Sequence, residues 1–134
     1  YTDCLMATLV ADFDSPQQIA NPNIVKAVVD SQGFAIYFSR SAVPYDRAAA
    51  GQGPTENYLR HLGIYAYRRG FLAEFSKLPQ GRLEKIEKLE QLRAIEHGYR
   101  ILTAKVTKVC DGIDTPEQYA EFVKRYKKTT EEKL

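Results

Sequence analysis

Three single polar residues sit inside apolar patterns in this chain. They are His61 within Leu59-Arg60-His61-Leu62-Gly63-Ile64-Tyr65-Ala66-Tyr67, Glu90 within Leu89-Glu90-Gln91-Leu92-Arg93, and Asp114 within Gly112-Ile113-Asp114-Thr115-Pro116-Glu117. Turning an imidazole or a carboxylate toward a core carries a gross desolvation cost of several kcal/mol unless something binds it. Each position needs a partner or a task, and three together suggest a site.

An Asp ahead of Thr-Pro-Glu is ordinarily a helix N-cap. Here Thr115, with Pro116 at the first helical position and Gln118 three residues on, already forms a capping box. Asp114 then falls one residue outside the helix, in a strand-to-helix loop, where α/β folds place ligand and metal groups. Both readings of Asp114 stand. For Glu90, at the edge of an apolar stripe, spacing favours a half-exposed carboxylate paired with Arg93 at i+3 over a ligand contact. His61 reads first as a core histidine satisfied by Tyr65 or another hydroxyl, and second as a ligand contact. Arg40, closing Ala35-Ile36-Tyr37-Phe38-Ser39-Arg40, is either a solvated strand end or a fork for a carboxylate or phosphate. The chain has no glycine-rich phosphate loop, no Gly-x-Ser-x-Gly elbow and no His-Glu-x-x-His.

The elements that must position these groups follow from the hydrophobic periods. Leu5 to Ala11 reads as a buried strand leaving into a turn at Asp12-Phe13-Asp14-Ser15-Pro16. Ile24 to Asp30 and Phe34 to Arg40, joined across Ser31-Gln32-Gly33, form a β-hairpin. Ser41 to Asn57, with Pro44, Gly51, Gly53 and Pro54, holds no sustained period and reads as a loop with at most a helical turn. The next strand, about Tyr58 to Arg68, alternates so that His61 and Tyr65 share a face. Phe71, Leu72, Phe75 and Leu78 mark a short helix stopped by Pro79. One longer helix is expected from Leu83 to Glu96, with Leu83, Ile86, Leu89, Leu92 and Ile95 on its buried stripe, Glu84 and Lys88 paired on its exposed face, and Gly98 beyond its end. Ile101 to Val109 reads as a strand. A last helix, from Pro116 to Lys127, would turn Tyr119, Phe122, Val123 and Tyr126 inward, with a frayed terminus after it. The order is that of a mixed α/β fold without internal repeats, in which the hairpin suggests an excursion into a subdomain.

Composition narrows the class. With 134 residues the chain fits one domain able to bury roughly two thirds of its unfolded surface. It is 44% hydrophobic and 27% charged, and no apolar run approaches a membrane span or a secretory signal. Nineteen basic residues against 17 acidic ones, well interspersed, give a net charge of +2 and no dense cationic face for nucleic acid. Arg68-Arg69 and Lys124-Arg125-Tyr126-Lys127-Lys128 read as solvated ends of elements. Cys4 and Cys110 allow one disulfide at most, so buried thiols in a reducing cytoplasm are the simpler expectation. The opening Tyr1-Thr2-Asp3-Cys4, with no methionine before Met6, reads as part of a longer protein.

Tyr37-Phe38-Ser39-Arg40 followed by Pro44-Tyr45-Asp46-Arg47, then Leu59 to Arg68, Leu89-Glu90-Gln91-Leu92-Arg93 and Gly112-Ile113-Asp114-Thr115-Pro116-Glu117, resemble the 3-deoxy-manno-octulosonate cytidylyltransferases, the CMP-KDO synthetases. The resemblance spans nearly the whole chain, in order, and corresponds to the C-terminal half of those enzymes. The segments that hold CTP and supply a second metal-binding aspartate in the family lie outside it.

The resemblance implies the C-terminal part of a nucleotide-diphospho-sugar transferase, Rossmann-like fold, with a hairpin dimerisation subdomain. It also implies a cytoplasmic homodimer that uses Mg²⁺, CTP and KDO to make CMP-KDO and pyrophosphate for lipopolysaccharide biosynthesis. On the same basis Asp114 would be the catalytic Mg²⁺ ligand, Arg40 would pair with the sugar carboxylate, and His61, Tyr65 and Glu90 would hold its hydroxyls. That assignment agrees with the residue chemistry: a permanent cation for an anion, and an imidazole, a phenol and a carboxylate for a polyol. Residues 1 to 134 would then be a sugar-binding and dimerising half, inactive alone. Two alternatives remain: a non-catalytic interaction module, and an enzyme for a related acidic sugar.

Overall fold

The segment Met6-Ala7-Thr8-Leu9-Val10-Ala11 alternates between fully and partly buried residues, as a strand covered on one face and flanked on both edges should. This strand, β1 (Met6–Ala11), lies inside a five-stranded sheet in the computed structural model, which describes residues 4–107, 116, 119–120, 122–124 and 126. It pairs antiparallel with β4 (Leu59–Tyr67) and parallel with β5 (Ile101–Lys105). The hairpin strands β2 (Lys26–Val29) and β3 (Ala35–Ser39) complete the order β3-β2-β4-β1-β5. The hairpin expected to leave as a subdomain extends this same sheet, through Lys26 opposite Arg60 and Ala27 opposite Leu59.

Three helices follow β4 and bring their apolar residues to the sheet: α2 (Arg69–Phe75), α3 (Arg82–Glu87) and α4 (Leu92–Glu96), which follow in chain order a short earlier helix, α1 (Pro16–Ala20). Phe71, Phe75, Leu89, Leu92 and Ala94 form one core with Met6, Val10, Ala27, Phe38 and Ile101. A smaller cluster of Phe13, Ile19 and Tyr58 lies under α1 and the loop after β3. That loop is organised around Asp46, whose carbonyl and carboxylate accept hydrogen bonds from the Gly51 and Ala49 N–H groups and the Asn57 amide. It ends in the helical turn Thr55–Asn57.

The single helix expected over Leu83 to Glu96 is two helices. Lys88 adopts a left-handed conformation, φ 56° and ψ 46°, and ends α3. The break changes which residues are covered: Ile86, expected on the buried stripe, is 64% exposed, whereas Glu84, expected outside, is 4% exposed. Glu84 pairs bidentately with Arg93, at 2.6 and 2.8 Å, instead of with Lys88. The amino end of α3 is capped from α4, where the Glu96 carboxylate accepts the N–H groups of Leu83 and Glu84. Gly98, φ 81°, closes α4 as expected.

The described residues from 116 to 126 are helical. Tyr119, Phe122 and Tyr126, expected inward, are exposed, and Phe122 stacks on Tyr126 with ring centroids 6.3 Å apart. Among the described residues no helix is long and apolar enough to cross a membrane. Cys4, expected buried, is half-buried, with its thiol donating to the Met6 carbonyl; Cys110 lies outside the described residues.

Candidate functional site

The centre of β4 carries two of the sequence-predicted site residues. Period-two alternation puts His61 and Tyr65 on one face, and their rings lie 5.5 Å apart. The strand bulges between them, since Thr8 faces Tyr65 while Leu9 faces Leu62, and because two residues are unmatched both rings stay on the same face. From β3, Phe38 meets the His61 ring edge-on at 4.7 Å. The aromatic line continues from Tyr65 through Tyr67 to Phe71 and Phe75 of α2.

His61 is 8% exposed, and burial pushes its pKa down to about 4, so the ring is neutral at physiological pH. Its Nε2 lies 3.0 Å from the Thr8 hydroxyl, so the hydroxyl partner is Thr8 and not Tyr65. Burial first, and then the charges of Tyr67 and Glu90, hold the Tyr65 phenol well above its usual range. The Tyr65 hydroxyl makes no hydrogen bond among the described residues. Tyr65 therefore remains a neutral hydroxyl able both to donate and to accept.

Glu90 lies in the link between α3 and α4, where its charge reaches both Tyr65 and Tyr67. It is exposed, and its carboxylate makes no hydrogen bond or ion pair among the described residues. The pairing with Arg93 favoured by spacing does not form, because the helix break gives Arg93 to Glu84. What remains is a carboxylate without a hydrogen bond among the described residues, whose charge is felt by the Tyr65 phenol and by Arg93.

Arg40 follows directly after β3, two residues beyond Phe38. Its Nε donates to the Glu87 carbonyl at 2.8 Å, one terminal nitrogen to the Pro22 carbonyl at 3.0 Å and the other to the Lys88 carbonyl at 3.4 Å. These bonds use three of five N–H groups, leaving two for an anion.

Two residues that the periodicity passed over belong to this region. Gln91 is 4% exposed, and its Nε2 is buried with no partner among the described residues. An unmatched buried amide is costly, and a ligand acceptor would relieve it. Its signal was its place beside Glu90 in Leu89-Glu90-Gln91-Leu92, obscured by treating that segment as one helix. Thr8 is the second, a hydroxyl in the middle of an otherwise apolar strand.

Asp114 lies outside the described residues. Among the described residues no group of three or more His, Cys, Asp or Glu side chains is placed to hold a metal ion. The described donors are suited to a polyhydroxylated anion and do not by themselves fit Mg²⁺.

The family model described as cytidylyltransferase matches residues 3–101. The chain is 52% identical over 120 residues to a 3-deoxy-manno-octulosonate cytidylyltransferase of Syntrophobacter fumaroxidans, covering 90% of this chain and 47% of that protein. To the enzyme of the same name from Solibacter usitatus it is 45% identical over 125 residues, or 93% of this chain and 48% of that one. Among solved structures, a CMP:2-keto-3-deoxy-manno-octonic acid synthetase complexed with CTP superposes with a TM-score of 0.82 at 38% identity, over 99% of this chain and 52% of the other. The chain thus spans about half the length of the relatives it matches. Matching the family model over most of its length, the chain belongs to the cytidylyltransferase family.

Proposed function

We propose that this chain is the sugar-binding half of a 3-deoxy-manno-octulosonate cytidylyltransferase, acting with the remainder of such an enzyme to convert CTP and KDO into CMP-KDO and pyrophosphate for lipopolysaccharide assembly. In that reaction a sugar hydroxyl oxygen bonds to the α-phosphorus of CTP. The bond from that phosphorus to the pyrophosphate oxygen breaks, and the hydroxyl proton is lost to solvent. The observation that carries the reading is the set of groups on β4 and the α3–α4 link, in a chain whose relatives bear that name: a neutral imidazole against a neutral phenol, a carboxylate whose charge reaches that phenol, and an unmatched buried amide next to it in sequence. Such a set binds hydroxyls, and Arg40 supplies a cation for the sugar carboxylate.

Holding the sugar in a reactive orientation is the main task of these residues, since much of the barrier to such a transfer is met by positioning. Mg²⁺ would supply neutralisation of phosphate charge when bound, and Asp114 is the residue of this chain proposed to hold it. A homodimer in the cytoplasm completes the reading. Release of pyrophosphate by the intact protein given CTP, KDO and Mg²⁺ tests it. A catalytically inert intact protein, or one that prefers another acidic sugar, would sink the assignment, whereas residues 1 to 134 alone are expected to show no turnover.

A further inference from the structure

The hydroxyl of Thr8 has three neighbours: His61 Nε2 at 3.0 Å, the Leu62 carbonyl at 3.2 Å and the Ile64 carbonyl at 2.8 Å. A threonine hydroxyl carries one hydrogen and two lone pairs. Carbonyl oxygens can only accept, and two oxygens 2.8 Å apart with no hydrogen between them would set lone pair against lone pair, so the hydrogen goes to the Ile64 oxygen. Only lone pairs are left for the imidazole. The Nε2 of His61 must then be the donor.

Two carbonyls reach Thr8 because of the bulge. Between Thr8 and Leu9 the register slips, so Gly63 and Ile64 on β4 have no opposite residue on β1. Thr8 is 2% exposed, so its hydroxyl is not shared with bulk water. We infer that Thr8 is a positioning residue that locks His61 in the Nε2–H tautomer, so that Nδ1 presents a bare lone pair and can only accept a hydroxyl hydrogen from the ligand. This rests on the proposed function for the identity of the ligand, not for the tautomer. The depressed basicity of the buried ring agrees with it, since a second proton on the ring would remove the acceptor.

The consequence is one of specificity. A site built around an acceptor takes a ligand hydroxyl there and rejects an analogue with an ether, a ketone or hydrogen at that carbon, because the buried lone pair is then left unmatched. His97 provides a contrast within the same chain. Its Nδ1 lies 2.8 Å from the Arg93 carbonyl, which can only accept, so His97 carries its hydrogen on the opposite nitrogen from His61.

Long-range ¹⁵N–¹H correlation on the intact protein labelled at histidine reads this directly, with His61 assigned by its loss in His61→Gln. The expected result is a pyridine-type Nδ1 for His61 and a protonated Nε2, with the reverse for His97. Thr8→Val keeps the side-chain shape and removes the lone pair. It should yield mixed tautomers and raise KM for the sugar acid about tenfold with KM for CTP unchanged, while Thr8→Ser restores both. A pyridine-type Nε2 in the wild-type protein overturns the inference, as does a Thr8→Val variant whose tautomer and KM match wild type. If the tautomer is as expected and the intact protein shows no turnover with KDO, the sugar-acid assignment of the ligand fails and the Thr8 lock is upheld.

Discussion

Glu87 holds Arg40 at two points. Its carboxylate accepts the Arg40 backbone N–H at 3.0 Å, and its own carbonyl accepts Arg40 Nε–H at 2.8 Å. The same carboxylate accepts the Ser39 hydroxyl at 2.7 Å and the Tyr37 hydroxyl at 3.4 Å. Burial alone would raise its pKa, but these donors and the Arg40 charge outweigh it and hold the carboxyl below its usual range. A helix terminus and a strand end are thereby joined through one anion.

Glu87→Gln should therefore weaken sugar-acid binding through Arg40 without touching the sugar. An amide offers one acceptor oxygen and brings an NH₂ group to donors that need acceptors, so the strand end that carries Arg40 loses its anchor and the guanidinium shifts with it. The expected outcome in the intact enzyme is a KM for the sugar acid raised about tenfold, with KM for CTP unchanged. Equal shifts in both constants would point to general unfolding instead, and no shift would remove Glu87 from the binding machinery.

The break at Lys88 supports the same contact, because ending α3 there frees the Glu87 and Lys88 carbonyls to meet Arg40. Lysine is poorly suited to that conformation, and glycine adopts it without steric penalty. Lys88→Gly should raise stability by about 0.5 to 1 kcal/mol in urea titrations, with the Arg40 contacts retained. A loss of stability would mean that the Lys88 side chain contributes more than its backbone angle costs.

That break also marks where periodicity reached its limit. Leu83, Ile86, Leu89, Leu92 and Ile95 satisfy a helical period, and no glycine or proline interrupts them, so one helix was the natural reading. Its failure arises from long-range contacts: Arg40 on the freed carbonyls and Glu96 on the amino end of α3. The strands were legible because β4 and the hairpin carry a period of two that a single covered face imposes, and His61 and Tyr65 came with them. Helix α1 was missed because five residues after a proline contain too few apolar positions to show a period. Thr8, a hydroxyl on an apolar strand, and Gln91, next to Glu90, carry only a weak local signal, as their roles are set by a bulge on another strand and by burial behind the helix break. The roles drawn for Arg40, His61, Tyr65 and Glu90 came from the family resemblance, and the structure supplies their surroundings.

Glu84 and Arg93 form the buried ion pair that fastens α3 to α4, with side chains 5% and 17% exposed. The Arg93 guanidinium beside it holds the Glu84 carboxyl below the ordinary range. Removing one partner leaves a charge with little access to water, which is worse than never having built the pair. Glu84→Ala should cost about 2 kcal/mol of unfolding free energy, and the Glu84→Ala, Arg93→Ala double variant less than the sum of the singles. Strict additivity in that cycle would show that the two side chains act independently.

His61 should make the fold sensitive to mild acid. Its pKa is about 4 in the folded chain against an ordinary 6.5, so between those values the unfolded chain binds the proton and the folded chain does not. Stability is then fully present above pH 6.5 and falls as pH drops toward 4, with His61 accounting for a loss of about 2 kcal/mol between pH 7 and pH 5. That window lies above the range where the carboxyls of Glu84, Glu87 and Glu96, all held low by their hydrogen bonds, begin to protonate. His61→Phe keeps an aromatic ring against Phe38 and removes the titrating group. Urea midpoints at pH 7 and pH 5 should diverge in the wild-type protein and move closer together in the variant. An identical fall in both would assign the acid sensitivity to groups other than His61 and would contradict the buried, neutral imidazole on which the site depends.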